Sequence, residues 1–288
     1  MRTPSIINVD SPVGALKTQL AKLLLSVDRV GWLTGSTTGR FDVRRTSRMM
    51  AGSERVFKSR TETPATTTAV SIVIDLSSSM TDGAISKNYG DPLEVNGSRI
   101  GVASQCAYAI ATAVERSNCE VEVVGFGGYR NKTNSGNPKG MRDMSGEGES
   151  GIGGETYQKA MLFNIKPFGV KTSLRRRAFE LLYHACNWCT PDYHAVRTVT
   201  EQMTQHVSHR KVVIVLTDGL GDYAQMREFT EFSSRVYKLP VLGIGIQTSS
   251  RSMVSAYDKF VCVSNLKELS EVAIKSLIKQ IEGQPLAA

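Results

Sequence analysis

The chain has 288 residues, of which 41% are hydrophobic and 22% are charged, so it can bury a sizeable core and lacks the composition of a disordered protein. No apolar run approaches the roughly 20 residues that cross a bilayer, which argues against a helical membrane protein. Residues 1–4 do not open a signal peptide, and we therefore expect a cytoplasmic protein.

The formal net charge is +8, and basic residues cluster at 40–60 and at 175–177. Such a charge makes nucleic acid a candidate partner. No helix-turn-helix, zinc-finger or RNA-stacking signature accompanies the charge, and most basic runs are simply solvated faces. A nucleic-acid-associated role is therefore only a lesser alternative.

The cysteines indicate neither a complete disulfide set nor a zinc site. Five cysteines cannot all pair within one chain, and three of them fall within helix or strand patterns: Cys106, Cys119 and Cys262. Cys186 and Cys189 form a C-x-x-C pair, but no second pair stands at zinc-ribbon spacing and the four histidines are scattered.

Residues 1–68 are predicted to form an N-terminal helix and a basic arm packed on the main domain. Apolar residues after Pro12 recur at helical spacing on one face: Val13, Leu16, Leu20, Leu23, Leu24 and Val27. Residues 34–68 are rich in Thr, Ser and Arg with little periodicity, which favours an extended arm with short strands near residues 55–57.

Residues 69–288 are predicted to form the main domain, which opens with a buried strand. Residues 69–74 are apolar or small without clean alternation, as is typical of a parallel-sheet strand covered on both faces. Asp75, Ser77 and Ser79 follow at the strand end, where such sheets bind ligands. One carboxylate and two hydroxyls suit Mg²⁺, although an ordinary helix cap uses the same residue types.

A second apolar strand brings another carboxylate to the same edge. Residues 211–216 are predicted to form this strand, and Thr217, Asp218 and Gly219 follow it. The glycine permits a sharp turn directly after the acid. Two strand ends therefore supply oxygen ligands to one edge of the predicted sheet.

The remaining predicted elements alternate between helices and strands. They are a helix at 99–116, a strand at 120–126, helices at 174–183, 191–206 and 223–237, strands at 241–246 and 260–263, and a terminal helix opened by a capping box at Asn265 and Glu268. This alternation predicts an α/β, Rossmann-like fold with a mostly parallel central sheet flanked by helices on both faces.

Two segments of the main domain are predicted to be irregular. Residues 80–98 form a polar loop beside the proposed metal, and residues 127–154 form a glycine-rich, mobile insertion. Those glycines do not form a phosphate cradle, because the order Gly-x-x-x-x-Gly-Lys-Ser/Thr is missing throughout the sequence. ATP hydrolysis, where it is involved, would therefore belong to a partner.

Asp75, Ser77, Ser79 and Asp218 resemble the metal-ion-dependent adhesion site (MIDAS) of the von Willebrand factor A domain. In that site an Asp-x-Ser-x-Ser motif, a distant Thr and a distant Asp surround Mg²⁺. The resemblance implies Mg²⁺, or another divalent cation in its place, as the cofactor of this chain.

The resemblance also implies a threonine ligand, for which the chain offers two candidates. Thr190 precedes Pro191 and a helical stretch that leads to the Asp218 strand, whereas Thr156 lies further upstream. Asp192 lies in the same first helical turn as Thr190 and can replace or assist it through a water. A threonine before a proline is also a normal helix start, so the role of Thr190 stays open.

Segments spread over residues 12–282 resemble the von Willebrand-type C-terminal part of the aerobic cobaltochelatase T subunit, including related bacteriophage proteins. They are residues 29–32, 39–45, 55–57, 75–79, 121–126 and 242–246. The chain departs from that subunit at residues 190–195, which read Thr-Pro-Asp-Tyr-His-Ala where the subunit has a segment like Asn-x-Asp-Gly-Glu-Ala. This departure puts cobalt insertion in doubt but leaves the cation site intact.

The resemblance implies an Mg-dependent protein-binding adaptor that recognises an acidic residue of a partner and works with a MoxR-type AAA+ ATPase. Such an adaptor has no catalytic residues and no activity alone. The alternative is a cobaltochelatase-type subunit that takes part in metal insertion into a tetrapyrrole. A hydrolase that activates water on Mg²⁺ is less favoured, because hydroxyl ligands outnumber carboxylates. A bacteriophage version would act in the host cytoplasm.

Overall fold

The structure is a computed structural model, and it describes residues 6–9, 31–61, 68–85, 93–116, 119–128, 130–131, 149–151, 155–157, 161–186, 188, 190–219, 223–265 and 268–269. The strands within these residues are β1 Gly31–Ser36, β2 Arg40–Phe41, β3 Phe57–Thr61, β4 Thr68–Asp75, β5 Glu120–Gly127, β6 Arg130–Asn131, β7 Glu149–Gly151, β8 Glu155–Tyr157, β9 Met161–Lys166, β10 Arg210–Thr217, β11 Val241–Ile246 and β12 Lys259–Val263.

The α-helices of the described residues vary from one turn to five. They are α1 Thr46–Met50, α2 Arg99–Glu115, α3 Arg176–Glu180, α4 Asp192–Thr204, α5 Tyr223–Phe232 and α6 Ser250–Ala256. No described helix is both long enough and apolar enough to cross a membrane.

Six strands form the central sheet in the order β12-β11-β10-β4-β5-β9. All neighbouring pairs are parallel except β5 with β9, which runs antiparallel at one edge. The register pairs Leu216 of β10 with Ile74 of β4, so Thr217 and Asp75 leave the sheet side by side. The predicted mostly parallel α/β sheet is therefore confirmed, and its two central strands end together.

Strand β4 is buried on both faces of the sheet, and all eight of its residues are buried. Ile72 and Ile74 pack in a cluster with Ile110 of α2, on one face. Val73 packs on the opposite face, in a cluster with Val196 of α4. Helices on both faces explain why the strand sequence lacks a polar and apolar alternation.

Several predicted helices end or break earlier than the sequence pattern indicates. The helix predicted at 174–183 is a chain of short turns, with α3 between 3₁₀ helices at Thr172–Arg175 and Leu182–Ala185. The helix predicted at 223–237 is α5 followed by a π-helical turn at Ser233–Tyr237. Strand β9 and helix α6 were not predicted.

The predicted N-terminal arm contains strands where it is described. β1, β3 and β2 form a separate antiparallel sheet in that order, next to the short helix α1. Ile7 is buried, and its backbone N–H donates to the carbonyl of Glu180 at 3.0 Å. The helix predicted after Pro12 lies outside the described residues.

The predicted insertion also contains short strands where it is described. β6, β8 and β7 form a small antiparallel sheet in that order, and most of residues 127–154 lie outside the described residues. At the C-terminus, the N–H of Glu268 donates to Asn265 Oδ1 at 3.1 Å and the N–H of Ser264 donates to Glu268 Oε2 at 2.7 Å. The first bond is that of the predicted capping box, whereas the reciprocal bond comes from Ser264 instead of Asn265, and the rest of the terminal helix lies outside the described residues.

Replacing Gly243 should destabilise the fold, because a side chain at this position would collide with the core. A Cβ atom on Gly243 would lie 2.6 Å from Tyr257 Cγ and 2.8 Å from Met253 Cε. We expect Gly243→Ala to lower the free energy of unfolding by about 1–3 kcal/mol, measured by urea denaturation. Gly97→Ala is the control, because a Cβ there meets nothing within 4 Å. Equal stability of the two variants would contradict the packing described here.

Candidate metal centre

The carboxylate of Asp75 joins the ends of β4 and β10. Its Oδ1 accepts a hydrogen bond from the N–H of Ser77 at 2.8 Å, and its Oδ2 accepts one from Thr217 Oγ1 at 2.9 Å. Thr217 Oγ1 accepts in turn from the N–H of Gly219 at 3.1 Å. Asp75, Ser77, Thr217 and Asp218 are all buried. The two loops are therefore held together by one carboxylate and one hydroxyl, and Thr217 is a member of the site that the sequence did not single out.

The hydroxyls of Ser77 and Ser79 lie 3.0 Å apart, at the same edge. Neighbouring ligands of an octahedral ion with bonds of 2.0–2.1 Å are about 3 Å apart, so the spacing suits two adjacent ligands of Mg²⁺. Ser78, between them, points away and is exposed. The Asp-x-Ser-x-Ser spacing therefore places the two serine hydroxyls side by side, and their role as metal ligands stays a prediction.

Asp218 pairs with an arginine from a distant part of the chain. Arg99 Nη1, at the start of α2, donates to Asp218 Oδ2 at 3.0 Å and to the carbonyl of Ser79 at 3.3 Å. The same nitrogen lies 3.4 Å from Asp82 Oδ2. Sequence reasoning missed Arg99, because 119 residues separate it from Asp218 and it reads as an ordinary first residue of a helix.

Burial makes the charge on Asp75 costly. The pKa of Asp75 is raised from 3.8 to about 7, first by burial and then by repulsion from the Asp218 carboxylate, against hydrogen bonds from Ser77 and Thr217. The nearby thiol of Cys186 has its pKa raised to about 12, also by burial and then by the Asp75 charge. A cation bound at this edge would lower the cost of ionising Asp75.

The segment around Thr190 runs beside the β4 loop. Trp188 forms a parallel bridge with Ser77, and its carbonyl accepts from the N–H of Ser78 at 3.0 Å. Glycines at the end of β5 allow this approach, because a Cβ on Gly127 would lie 2.5 Å from the Trp188 side chain and one on Gly128 would lie 2.7 Å from Pro191. Thr190 is half-buried two residues after this bridge. Its role as a ligand stays a prediction.

Asp192 begins α4 and is buried close to the candidate centre. Its Oδ1 accepts from the N–H of Tyr193 at 2.9 Å. The pKa of the buried Tyr257 hydroxyl is raised well above 10.0 by burial and then by the charges of Asp192 and Asp75, so both carboxylates act on that hydroxyl. Asp192 therefore remains the alternative or assisting ligand. Thr156, the competitor of Thr190, belongs to β8, which pairs with β6 and β7.

The donor set at this edge fits a hard cation. Asp75 and Asp218 supply carboxylates, and Ser77 and Ser79 supply hydroxyls, all of them oxygen. Among the described residues, no three His, Cys, Asp or Glu side chains group in a way that could hold a metal ion. A cation at this edge would therefore need hydroxyl oxygens in its ligand set.

Comparison with known proteins identifies a matching family. The family model of the cobalamin biosynthesis protein CobT VWA domain matches residues 56–282. A search of curated proteins gave no significant match.

Solved structures of similar fold are distant in sequence. BatB from Bacteroides thetaiotaomicron, a conserved hypothetical protein, is 13% identical with a TM-score of 0.50, over 75% of this chain and 100% of that one. The PilB minor pilin from Streptococcus sanguinis is 14% identical with a TM-score of 0.47, over 82% of this chain and 66% of that one. The SpRpn10 VWA domain is 12% identical with a TM-score of 0.42, over 77% and 100%. At such identity the likeness to BatB concerns the fold alone.

The raised pKa of Asp75 predicts a pH-dependent stability of the metal-free protein. The folded value of about 7 exceeds the ordinary value of 3.8, so the folded state holds the proton more tightly. The stabilisation is complete below the unfolded value and is lost as the pH rises through about 7. In EDTA, we expect the free energy of unfolding from urea titrations to fall by roughly 2–3 kcal/mol between pH 5 and pH 8. Asp75→Asn should fall less over the same range, and an unchanged slope in that variant would contradict this assignment.

Proposed function

The chain belongs to the family of the cobalamin biosynthesis protein CobT VWA domain, and from this premise we propose that it is a cation-dependent protein-binding adaptor. It would bind Mg²⁺, or another divalent cation, at the edge where β4 and β10 end. It would use this cation to recognise an acidic residue of a partner protein. The family match extends over residues 56–282 and therefore includes every residue of the candidate centre.

The observation that carries the proposal is the pair of serine hydroxyls 3.0 Å apart beside a buried carboxylate. A buried carboxylate is unfavourable unless hydrogen bonds or a cation compensate its charge. Asp75 accepts hydrogen bonds from Ser77 and Thr217, and a cation would add to this compensation. The cation would be held by Asp75, Ser77, Ser79 and Asp218, with Thr190 or Asp192 completing the set.

The chemistry of these ligands favours binding over catalysis. A cation held partly by neutral hydroxyls keeps much of its positive charge, and it would offer an open position to an outside carboxylate. Ser77 and Ser79 orient that position, because backbone hydrogen bonds fix the loop: the N–H of Ser78 donates to Trp188 and the N–H of Met80 donates to Ser77. We therefore propose binding, and no activity, for the chain alone.

A MoxR-type AAA+ ATPase is the proposed working partner. The sequence has no phosphate-binding loop of its own, so energy from ATP would have to come from another protein. The adaptor would connect this ATPase to an acidic client that it remodels.

A cobaltochelatase-type subunit is the second candidate function, and the family match favours it directly. In that role the same adhesion site would hold the chelatase together while partner subunits insert a metal into a tetrapyrrole. The residues Thr190-Pro191-Asp192-Tyr193-His194-Ala195 depart from the cobaltochelatase pattern, which is why the adaptor role comes first. Chelatase activity that appears only when this chain is added to the large subunit and the ATPase would favour the second role.

The metal site is tested with serine variants that keep the loop backbone. We expect the double variant Ser77→Ala/Ser79→Ala to bind Mg²⁺ about tenfold or more weakly than the wild type, measured by isothermal titration calorimetry. Ser78→Ala is the matched control, because Ser78 is exposed in the same loop and its backbone contact is kept. Equal loss of Mg²⁺ affinity in the control and the double variant would contradict the assignment of Ser77 and Ser79 as ligands.

The partner is tested by retention on the immobilised protein. We expect an AAA+ ATPase or an acidic client to be retained from a cell extract in Mg²⁺ and released by EDTA, with identification by mass spectrometry. The Ser78→Ala protein should retain the same partner, whereas the Ser77→Ala/Ser79→Ala protein should not. If the partner is retained in EDTA and also by the double variant, the site does not mediate binding.

A further inference from the structure

Arg99 is held at the candidate metal centre by the start of helix α2. Ser98 caps this helix: its Oγ accepts from the N–H of Gly101 at 3.1 Å and donates to the carbonyl of Val95 at 2.6 Å. The N–H of Arg99 donates to the carbonyl of Asp82 at 3.0 Å. These bonds fix the backbone from which the side chain of Arg99 extends to the sheet edge.

One nitrogen of Arg99 makes every contact with the centre. Nη1 lies 3.0 Å from Asp218 Oδ2, 3.3 Å from the Ser79 carbonyl and 3.4 Å from Asp82 Oδ2. The side chain of Asp218 is fully buried in this pair, whereas that of Arg99 is 23% exposed and that of Asp82 is 67% exposed. A positive charge therefore already occupies the solvent side of the edge where the cation is proposed to bind.

We propose that Arg99 is a tethered cation that competes with the divalent ion for Asp218. This inference rests on the proposed function and adds a regulatory element to its site. Without metal, the guanidinium compensates the buried Asp218 carboxylate. A bound metal would take Asp218 Oδ2 from Arg99, and the exposed carboxylate of Asp82 would remain as the partner of the guanidinium.

Arg99 and a divalent ion would compete for Asp218 rather than bind it together, for two physical reasons. The guanidinium is always charged, so it repels a second cation at the same carboxylate and cannot relieve that repulsion by losing a proton. In addition, the hydrogen bond that it donates to Asp218 is charge-assisted, and such bonds are stronger than neutral ones. Metal binding must break or weaken that bond, which lowers the apparent affinity for the ion. The exposed Asp82 gives the displaced side chain a second partner 3.4 Å away.

The test is the affinity of Arg99 variants for Mg²⁺ alone, measured by calorimetry on the full chain at low ionic strength. We expect Arg99→Gln to bind Mg²⁺ about tenfold or more tightly than the wild type, because a charge-assisted hydrogen bond no longer opposes the ion. Arg99→Lys keeps the charge without the planar fork, and it should lie between the two. Arg235→Gln is the charge-matched control, because Arg235 is 77% exposed in the π-helical turn after α5 and pairs with Glu231.

A stability measurement separates competition from a merely structural role. In EDTA we expect Arg99→Gln to unfold at a lower temperature than the wild type, because the Arg99–Asp218 ion pair is lost. Added Mg²⁺ should raise its unfolding temperature more than it raises that of the wild type, since tighter binding stabilises more. If Arg99→Gln does not fold in EDTA, the Mg²⁺ affinity of Arg99→Lys tests the proposal instead.

The Mg²⁺ affinities of these variants distinguish competition from its alternatives. Tighter Mg²⁺ binding by Arg99→Gln or Arg99→Lys, with no change in Arg235→Gln, supports competition. Equal or weaker binding by folded Arg99 variants, beside a wild type that binds Mg²⁺, overturns the role of Arg99 and leaves the proposed function standing. If neither the wild type nor any variant binds Mg²⁺, both the role of Arg99 and the proposed function are overturned.

Discussion

The structure depends on one buried carboxylate at the junction of two parallel strands. Asp75 ends β4, and its two oxygens accept from the backbone of its own loop and from Thr217 at the end of β10. These bonds fix the serine loop relative to the turn that carries Asp218. They also bury a group that is costly to ionise, and a nearby positive charge lowers that cost. The sheet thus brings oxygen atoms from two strand ends to one edge, where a positive charge would stabilise the ionised carboxylates.

Two sources can supply that positive charge, and they differ in what they allow. Arg99 is covalently part of the chain, reaches Asp218 from helix α2 and leaves Asp75 with a raised pKa. A divalent ion would compensate both carboxylates and would leave a coordination position for a partner. The structure shows the first arrangement, with Arg99 paired to Asp218, and the second belongs to the proposed function. If the site alternated between Arg99 and a divalent ion, its ability to bind a partner would depend on the metal concentration.

Much of the fold was predictable from local sequence, because its central strands are apolar on both faces and each ends in oxygen-bearing residues. Asp75, Ser77 and Ser79 follow from one short motif, and Asp218 follows from the next strand of the same kind. Strand β9 was not predictable, since Met161–Lys166 is only partly buried at an antiparallel edge and follows a segment without period. Arg99 and Thr217 were missed because their roles come from contacts between distant segments. The break in the predicted helix at 174–183 has no single sequence signal, since neither Gly nor Pro interrupts it.

The central claim is that oxygens from β4 and β10 meet around a divalent ion. Diffraction from crystals soaked in Mn²⁺, recorded at a wavelength where manganese scatters anomalously, locates such an ion without assuming its ligands. The account predicts one strong anomalous peak within bonding distance of the hydroxyls of Ser77 and Ser79, with Arg99 moved away from Asp218. A protein that shows no peak there at millimolar Mn²⁺, or a peak on other side chains with the Arg99 pair intact, would contradict it.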